Sequence, residues 1–140
     1  EFRIQKAQEI ERRRLMELAT ICKLKILHQH VFRNSNPAVF GVEVIAGKIK
    51  PKIFLIDESG KKIGRTKGVQ SENKAVEEAI EGMQVAISIP GVNFERQLKD
   101  KNFIYSDLTE SQFKTFKKNK DLLSSSELRT LQEIAGIKKF

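Results

Sequence analysis

Tryptophan is absent from the 140 residues, and tyrosine and cysteine occur once each. A single cysteine, Cys22, forbids an internal disulfide and fits a reducing cytoplasm. No apolar run approaches the ~20 residues that cross a bilayer, and no signal-peptide pattern opens the chain, so no membrane partner is expected. No G-x-x-x-x-G-K-[ST] phosphate loop occurs; Gly60-Lys61-Lys62-Ile63-Gly64-Arg65 has the wrong spacing and reads as a turn entering a strand. A G-x-S-x-G nucleophile elbow is also missing. No catalytic residue is therefore assigned, and nucleotide hydrolysis is not expected of this chain. Cys22, His28 and His30 share a strand face, as zinc ligands could, but the paired C-x2-C spacing of structural zinc is lacking. Core or interfacial histidines are the preferred reading, and no metal is assigned. Glu77, Glu78 and Glu81 have no partner base and read as surface. The chain begins Glu1-Phe2 without an initiator methionine, which suggests a piece of something longer whose chemistry lies elsewhere.

What is present is one core's worth of apolar residues, 39% of the chain, and a net charge of +8. That balance permits nucleic acid or an acidic protein as partner, and a solvated surface explains it equally well. By segment the charge is +1 over residues 1–22, +4 over 23–107 and +3 over 108–140, so any basic patch must be assembled by folding.

Three patterns divide the chain. Residues 1–21 lack glycine and proline and are dense in charge, with Glu9 four residues before Arg13, which predicts a helix. Its middle, EIERRR, has almost no apolar stripe, so it reads as a solvated connector. From Cys22 the period becomes two: Leu24, Ile26, His28, His30 and Phe32 on one face, Lys23, Lys25, Gln29 and Arg33 on the other. Further strands are predicted over Ala38–Ile45, Ile53–Asp57, Lys62–Val69, Gln84–Ile89 and Asn102–Ser106, with turns at Ser59-Gly60 and Pro90-Gly91. Short strands without long intervening helices predict a small antiparallel barrel over 22–107. In 108–140, Thr109-Glu110-Ser111-Gln112 and Ser124-Ser125-Ser126-Glu127 are capping boxes, with Leu108/Phe113 and Leu123/Leu128 as hydrophobic staples. Two helices follow, Glu110–Asn119 and Ser125–Ala135, the second ending at Gly136.

Two surfaces are candidates for binding. Arg33, Lys48, Lys50, Lys61, Lys62, Arg65 and Lys67 sit in or beside turns and strand ends, where they could meet phosphates of a single strand. Phe32, Phe40 and Phe54 are read as core, so base stacking is not predicted. In the terminal helices, Phe113, Phe116, Leu123, Leu128, Leu131 and Ile134, rimmed by Lys117 and Lys120, could form an apolar groove for an acidic, hydrophobic peptide. Packing of these side chains against each other and the barrel is the simpler account.

The order of motifs resembles the second-domain barrel of translational GTPases. It runs from Val31-Phe32-Arg33 through a polar turn to Pro37, then Gly41-Val42-x-Val44-x-x-Gly47-x-Ile49-Lys50, Gly60-x-x-Ile63-Gly64 and Gly82-Met83-Gln84-Val85-Ala86-Ile87. With a charged helix before it and two capped helices after Phe103-Ile104-Tyr105-Ser106, the whole is similar to the C-terminal region of the archaeal and eukaryotic initiation factor 5B family. In detail, VFRNSNPAVFGVEVIAGKIK looks archaeal rather than eukaryotic. The resemblance implies a monomeric, non-catalytic fragment of a factor that promotes joining of ribosomal subunits, with GTP and magnesium confined to an N-terminal domain of the intact factor. It implies that the barrel holds the methionylated acceptor end of initiator tRNA, and that the terminal helices receive the C-terminal tail of initiation factor 1A. The connector would act as a lever. Carried onto this sequence, the residues bordering the acceptor end are Gln70, Ser71, Asn73, Lys74, Met83 and Gln84, with Arg33, Asn34, Lys48 and Arg65 near phosphates. Pro51 departs from the glycine frequent there. Val42, Gln84, Val85 and the Gln70–Asn73 loop depart from bacterial relatives, so no formyl-methionine pocket is inferred. A peptide-binding module without tRNA recognition is the rival reading; a barrel serving elongation or selenocysteine insertion leaves the doubly stapled helices unexplained.

Overall fold

The computed structural model describes residues 20–140 together with Ile10, Arg13 and Arg14. The connector helix expected over residues 1–21 lies for the most part outside the described residues.

The strands are β1 (Cys22–Arg33), β2 (Ala38–Ile49), β3 (Phe54–Asp57), β4 (Lys62–Arg65), β5 (Gly68–Ser71), β6 (Lys74–Ala75), β7 (Ala79–Ile80), β8 (Gln84–Ile89) and β9 (Phe103–Ser106). Helix α1 (Phe94–Gln97) precedes β9, while α2 (Glu110–Lys118) and α3 (Ser125–Lys138) close the chain around a 3-10 turn at Lys120–Leu122. The strands form one antiparallel sheet in the order β4-β3-β9-β1-β2-β8-β5-β6, with β7 on β2. Only Thr66 and Lys67 separate β4 from β5, which lie near opposite ends of that path. Three Cα steps span at most ~11 Å, whereas a flat sheet of this many strands at ~4.8 Å spacing is far wider, so the sheet must curl. The result is the mainly β fold with helical appendages read from the sequence, a curled half-barrel.

Alternation along the strands builds two cores. Leu24, Ile26, Phe40, Val42, Val44, Leu55, Ile87 and Ile104 fill the inside of the curl. Ile56 and Tyr105, one residue on from Leu55 and Ile104, point outward and join Ile21, Leu108, Phe116, Leu123, Leu131 and Ile134 beneath α2 and α3. Strands β3 and β9 are thus covered on both faces at Leu55-Ile56 and at Ile104-Tyr105, which is why neighbours in each pair are both apolar. Both capping boxes are present: Thr109 accepts from Gln112 N–H and Ser124 from Glu127 N–H, each with the reciprocal side-chain bond.

Several expectations need correction. The Lys62–Val69 strand is two, β4 and β5, broken at the buried Thr66. The loop expected at Gln70–Lys74 is a hairpin between β5 and β6, with Glu72 (φ 52°) and Asn73 (φ 65°) forming a two-residue turn of the kind that matches strand twist. Helix α3 does not end at Gly136; it runs to Lys138 and is capped by Lys139 at φ 59°. The extra turn is held by Lys138 Nζ, which donates to Leu108 O at 2.8 Å and to the Asp107 carboxylate, and by Ile137 packing on Gly60.

Phe32 and Phe54 are not core: they are 67% and 58% exposed, and only Phe40 is enclosed. For Phe32 the cause is a break in register. Leu27 pairs with Gly41, but Val31 already pairs with Phe40, so His28, Gln29 and His30 are extra residues on β1. Such a bulge re-aims every side chain beyond it. Phe54 opens β3 opposite Arg65 of β4, the terminal strand of the path, beyond the cover of α3.

Candidate nucleic-acid interface

The bulge in β1 opens a cavity of about 440 Å³ between the far end of β1, the start of β2, β8 and the β5–β6 hairpin. Leu27, Val39 and Val85 give it an apolar floor, and Gly41 and Ala86 keep that floor low. A Cβ on Gly41 would lie 3.0 Å from His30 Cβ, so a side chain there would press on the wall. The wall is aromatic: His30 and Phe32 stack with ring centroids 6.5 Å apart and planes inclined by 28°. Gln70, Glu72, Asn73 and Gln84 supply the polar rim. Among the described residues Glu72 is the only carboxylate that lines the cavity, and no lysine or arginine lines it. Gln84 is steadied by Glu43, whose Oε1 accepts from Nε2 at 3.3 Å. The chemistry on offer is a flat stacking surface, an apolar slot and amide hydrogen bonds, which suits a base and a small apolar group better than a phosphate.

Of the residues singled out as tRNA contacts, Gln70, Asn73 and Gln84 line this cavity, and Ser71 and Lys74 flank it on the hairpin. Arg33 follows Phe32 directly, with Nε donating to Ser35 O at 3.1 Å. Asn34 turns away: its Nδ2 donates to Asn93 Oδ1 and its Oδ1 accepts from Glu95 N. Lys48 is paired with Glu78 at 3.3 Å, Arg65 lies over Phe54, and Met83 packs against the core. None of these last four lines the cavity. Sequence reading missed Phe32, His30, Leu27, Val39 and Glu72. Period-two counting cannot see a bulge, although the His-Gln-His interruption of the apolar alternation was its one visible trace. Val42 lies wholly in the core, whereas Gln84 and Val85 face the cavity.

A second cavity, about 350 Å³, lies between α2 and α3. Phe113, Lys117, Lys120, Leu128 and Leu131 line it together with Gln132 and Ala135. Phe116, Leu123 and Ile134, also singled out as groove residues, are instead committed to packing beneath the helices. The Phe140 ring sits 5.4 Å from that of Phe113 and extends the apolar surface.

The candidate zinc ligands do not converge. Cys22 is buried beside Ser106, whereas His28 and His30 lie on the exposed bulge. Burial pushes the Cys22 thiol up to about 12, with hydrogen bonds to Ser106 offsetting part of the shift. The Gly60–Gly64 segment does not fit a nucleotide's phosphates: a phosphate loop opens a helix, and here the chain enters β4 with Gly60 pressed on Ile137. Among the described residues no helix is long and apolar enough to cross a membrane.

Residues 21–105, all of the curled sheet but the last residue of β9, match the family model described as elongation factor Tu domain 4. The chain belongs to this family. It is 41% identical over 140 residues to a probable translation initiation factor IF-2 of Methanoculleus marisnigri, an alignment covering 99% of this chain and 24% of that protein. It is likewise 41% identical over 129 residues to the one from Methanopyrus kandleri, covering 91% and 22%. The crystal structure of GDP-bound aIF5B from Aeropyrum pernix superimposes with a TM-score of 0.86 at 34% identity, over 96% of this chain and 23% of that one. The chain thus spans about a quarter of the length of the relatives it matches. The resemblance to the C-terminal region of archaeal factor 5B holds over nearly the whole of this chain. Within the elongation factor Tu domain 4 family, the 440 Å³ cavity belongs to the matched barrel, while the groove between α2 and α3 lies beyond the matched residues.

Proposed function

We propose that the barrel cavity receives the methionylated acceptor end of initiator tRNA, and that the fragment serves the joining of ribosomal subunits without catalysing a reaction itself. The observation that carries this is the convergence of a His30–Phe32 stacking wall, an apolar floor and the Gln70, Asn73 and Gln84 amides in one cavity. The terminal base stacks on Phe32, the methionyl side chain enters the slot over Leu27, Val39 and Val85, and Glu72 faces the α-ammonium of an unformylated methionine. Arg33 and Lys74, beside the cavity, face backbone phosphates, whereas Lys48 is held by Glu78 and Arg65 by the Phe54 ring. GTP and magnesium belong to another part of the intact factor, and the segment upstream of residue 21 transmits its state to the barrel.

The test is binding of this chain to methionylated and uncharged initiator tRNA, by filter retention across a salt series. Preference for the charged form, in an affinity that falls with salt, is expected. Equal binding of both forms removes the recognition claim.

The groove between α2 and α3 supports a further contact, with the acidic, hydrophobic C-terminal tail of initiation factor 1A. Phe113 and Leu128 are its half-buried apolar lining, and Lys117 and Lys120 are exposed at its rim. Titration with factor 1A with and without its tail tests this. Tail-independent affinity would count against the groove.

A further inference from the structure

Away from the cavity, the molecule presents an exposed aromatic ring among cations with no acidic partner. Phe54 is 58% exposed, and the Arg65 guanidinium lies 5.6 Å from its ring centroid, as a cation over a π-face. Arg65 Nε donates to Lys52 O at 3.4 Å, which draws the Lys50–Ile53 turn against the strand. The turn is stapled by the buried Thr66. Its Oγ1 donates to Lys50 O at 2.8 Å and accepts from Ile53 N at 2.9 Å, while Lys52 N donates to Thr66 O at 2.7 Å. One interior hydroxyl therefore fixes Lys50 and Lys52 beside Arg65 and Lys67. None of these four has an ion-pair partner among the described residues, whereas Lys48, close by on β2, is neutralised by Glu78.

Like charges held together by a buried staple repel each other, and an exposed phenylalanine gains nothing from water. Both costs are offset by one class of ligand, a polyanion that carries aromatic faces. We propose that Phe54, with Lys50, Lys52, Arg65 and Lys67, forms a second RNA contact distinct from the acceptor-end cavity. An unpaired base stacks on the open face of Phe54, opposite Arg65, and the flanking phosphates lie along the four cations. Such a contact is tolerant of sequence, because every base has a π-face. The RNA is either another stretch of the same tRNA or a different RNA chain.

The experiment uses this chain and a fluorescein-labelled, unstructured 12-nucleotide RNA, read by anisotropy over a salt series. Phe54→Ala is expected to weaken binding by about 5- to 100-fold, the size of one base–aromatic stack. Lys52→Ala and Lys67→Ala should each lower the salt slope by about 0.7, the single-strand value for one phosphate contact. Lys118→Ala, an exposed cation of α2 assigned to neither proposed RNA contact, should leave this affinity within about twofold, which separates the Phe54 patch from general surface charge. Displacement of the oligonucleotide by uncharged initiator tRNA assigns the contact to tRNA, and retention assigns it to another RNA. A Phe54→Ala variant that folds normally by circular dichroism and binds RNA within twofold of the parent overturns the proposal. So does polyglutamate that competes fully and shows the same loss with Phe54→Ala, since that surface would then be a site for an acidic protein.

Discussion

At the scale of single residues, the exposed and the enclosed side chains give separable predictions. Phe32 is solvent-facing, so Phe32→Ala should change unfolding free energy by less than about 0.5 kcal/mol. The same variant should weaken binding of methionylated initiator tRNA by about 5- to 100-fold, read by filter retention. Glu72→Gln should leave uncharged tRNA unaffected and lower affinity for the methionylated form by about 2- to 5-fold, the worth of one exposed charge pair. Asp57 is buried, and its Oδ1 accepts from Ser59 N, Ser59 Oγ and Lys61 N at 2.9, 2.7 and 3.0 Å. Burial alone would raise its carboxyl, but these hydrogen bonds and the charge of Lys101 outweigh it and hold the group below the usual carboxylate range. A depressed folded value means the stabilisation is complete above the unfolded pKa, ~3.9, and is lost as pH falls through the folded value. Asp57→Ala should therefore cost about 1–3 kcal/mol at pH 7, with the gap to the parent narrowing in urea titrations below pH 4. The Cys22 thiol should ignore a disulfide reagent until denaturant is added.

At the scale of elements, the β5–β6 hairpin and the Ile21–Gly47 crossing carry the strongest constraints. Glu72 and Asn73 both hold positive φ, in a turn where Asn-Gly is the favoured pair. Replacing Glu72-Asn73 by Asn-Gly should stabilise the fold by roughly 1 kcal/mol in thermal unfolding, while removing the carboxylate from the cavity rim. Gly47 has φ 69°, and a Cβ there would lie 1.8 Å from Ile21 O, so Gly47→Ala should cost more than about 2 kcal/mol. Element-level structure was legible wherever a local rule acts alone: the two capping boxes, the alternation of β8, and that of β2 as far as Ile45, which the structure carries on to Ile49. It was illegible where distant contacts decide. The bulge at His28–His30 inverted the expected direction of Phe32. Ties from Lys138 to Asp107 and Leu108 carried α3 past Gly136. The Gln70, Asn73 and Gln84 rim was readable through resemblance, but its floor and wall come from strands that only the sheet order brings together.

For the molecule as a whole, the two cores share strands, so the helices are no loose appendage. Lys23 of β1 pairs with Glu133 of α3 at 3.1 Å, over the Phe103 ring. Burial, aided by the charges of Glu133 and Glu58, pushes Tyr105 up to about 12. Phe116 is fully enclosed, and Phe116→Ala should cost about 3–5 kcal/mol of global stability, measured by denaturant unfolding. Phe113→Ala should cost less and act on tail binding, which separates the groove from the core beneath it. Loss of α2 and α3 would bare Ile21, Ile56 and Tyr105, so a chain cut before residue 108 should aggregate. Mechanically, the described chain meets the sheet in its middle: β1 lies between β9 and β2, and its first residues are hydrogen-bonded on both sides. A load applied upstream of residue 21 is therefore shared by two ladders and cannot peel an edge. The barrel answers as a stiff rotor, turning its cavity and its Phe54 face together.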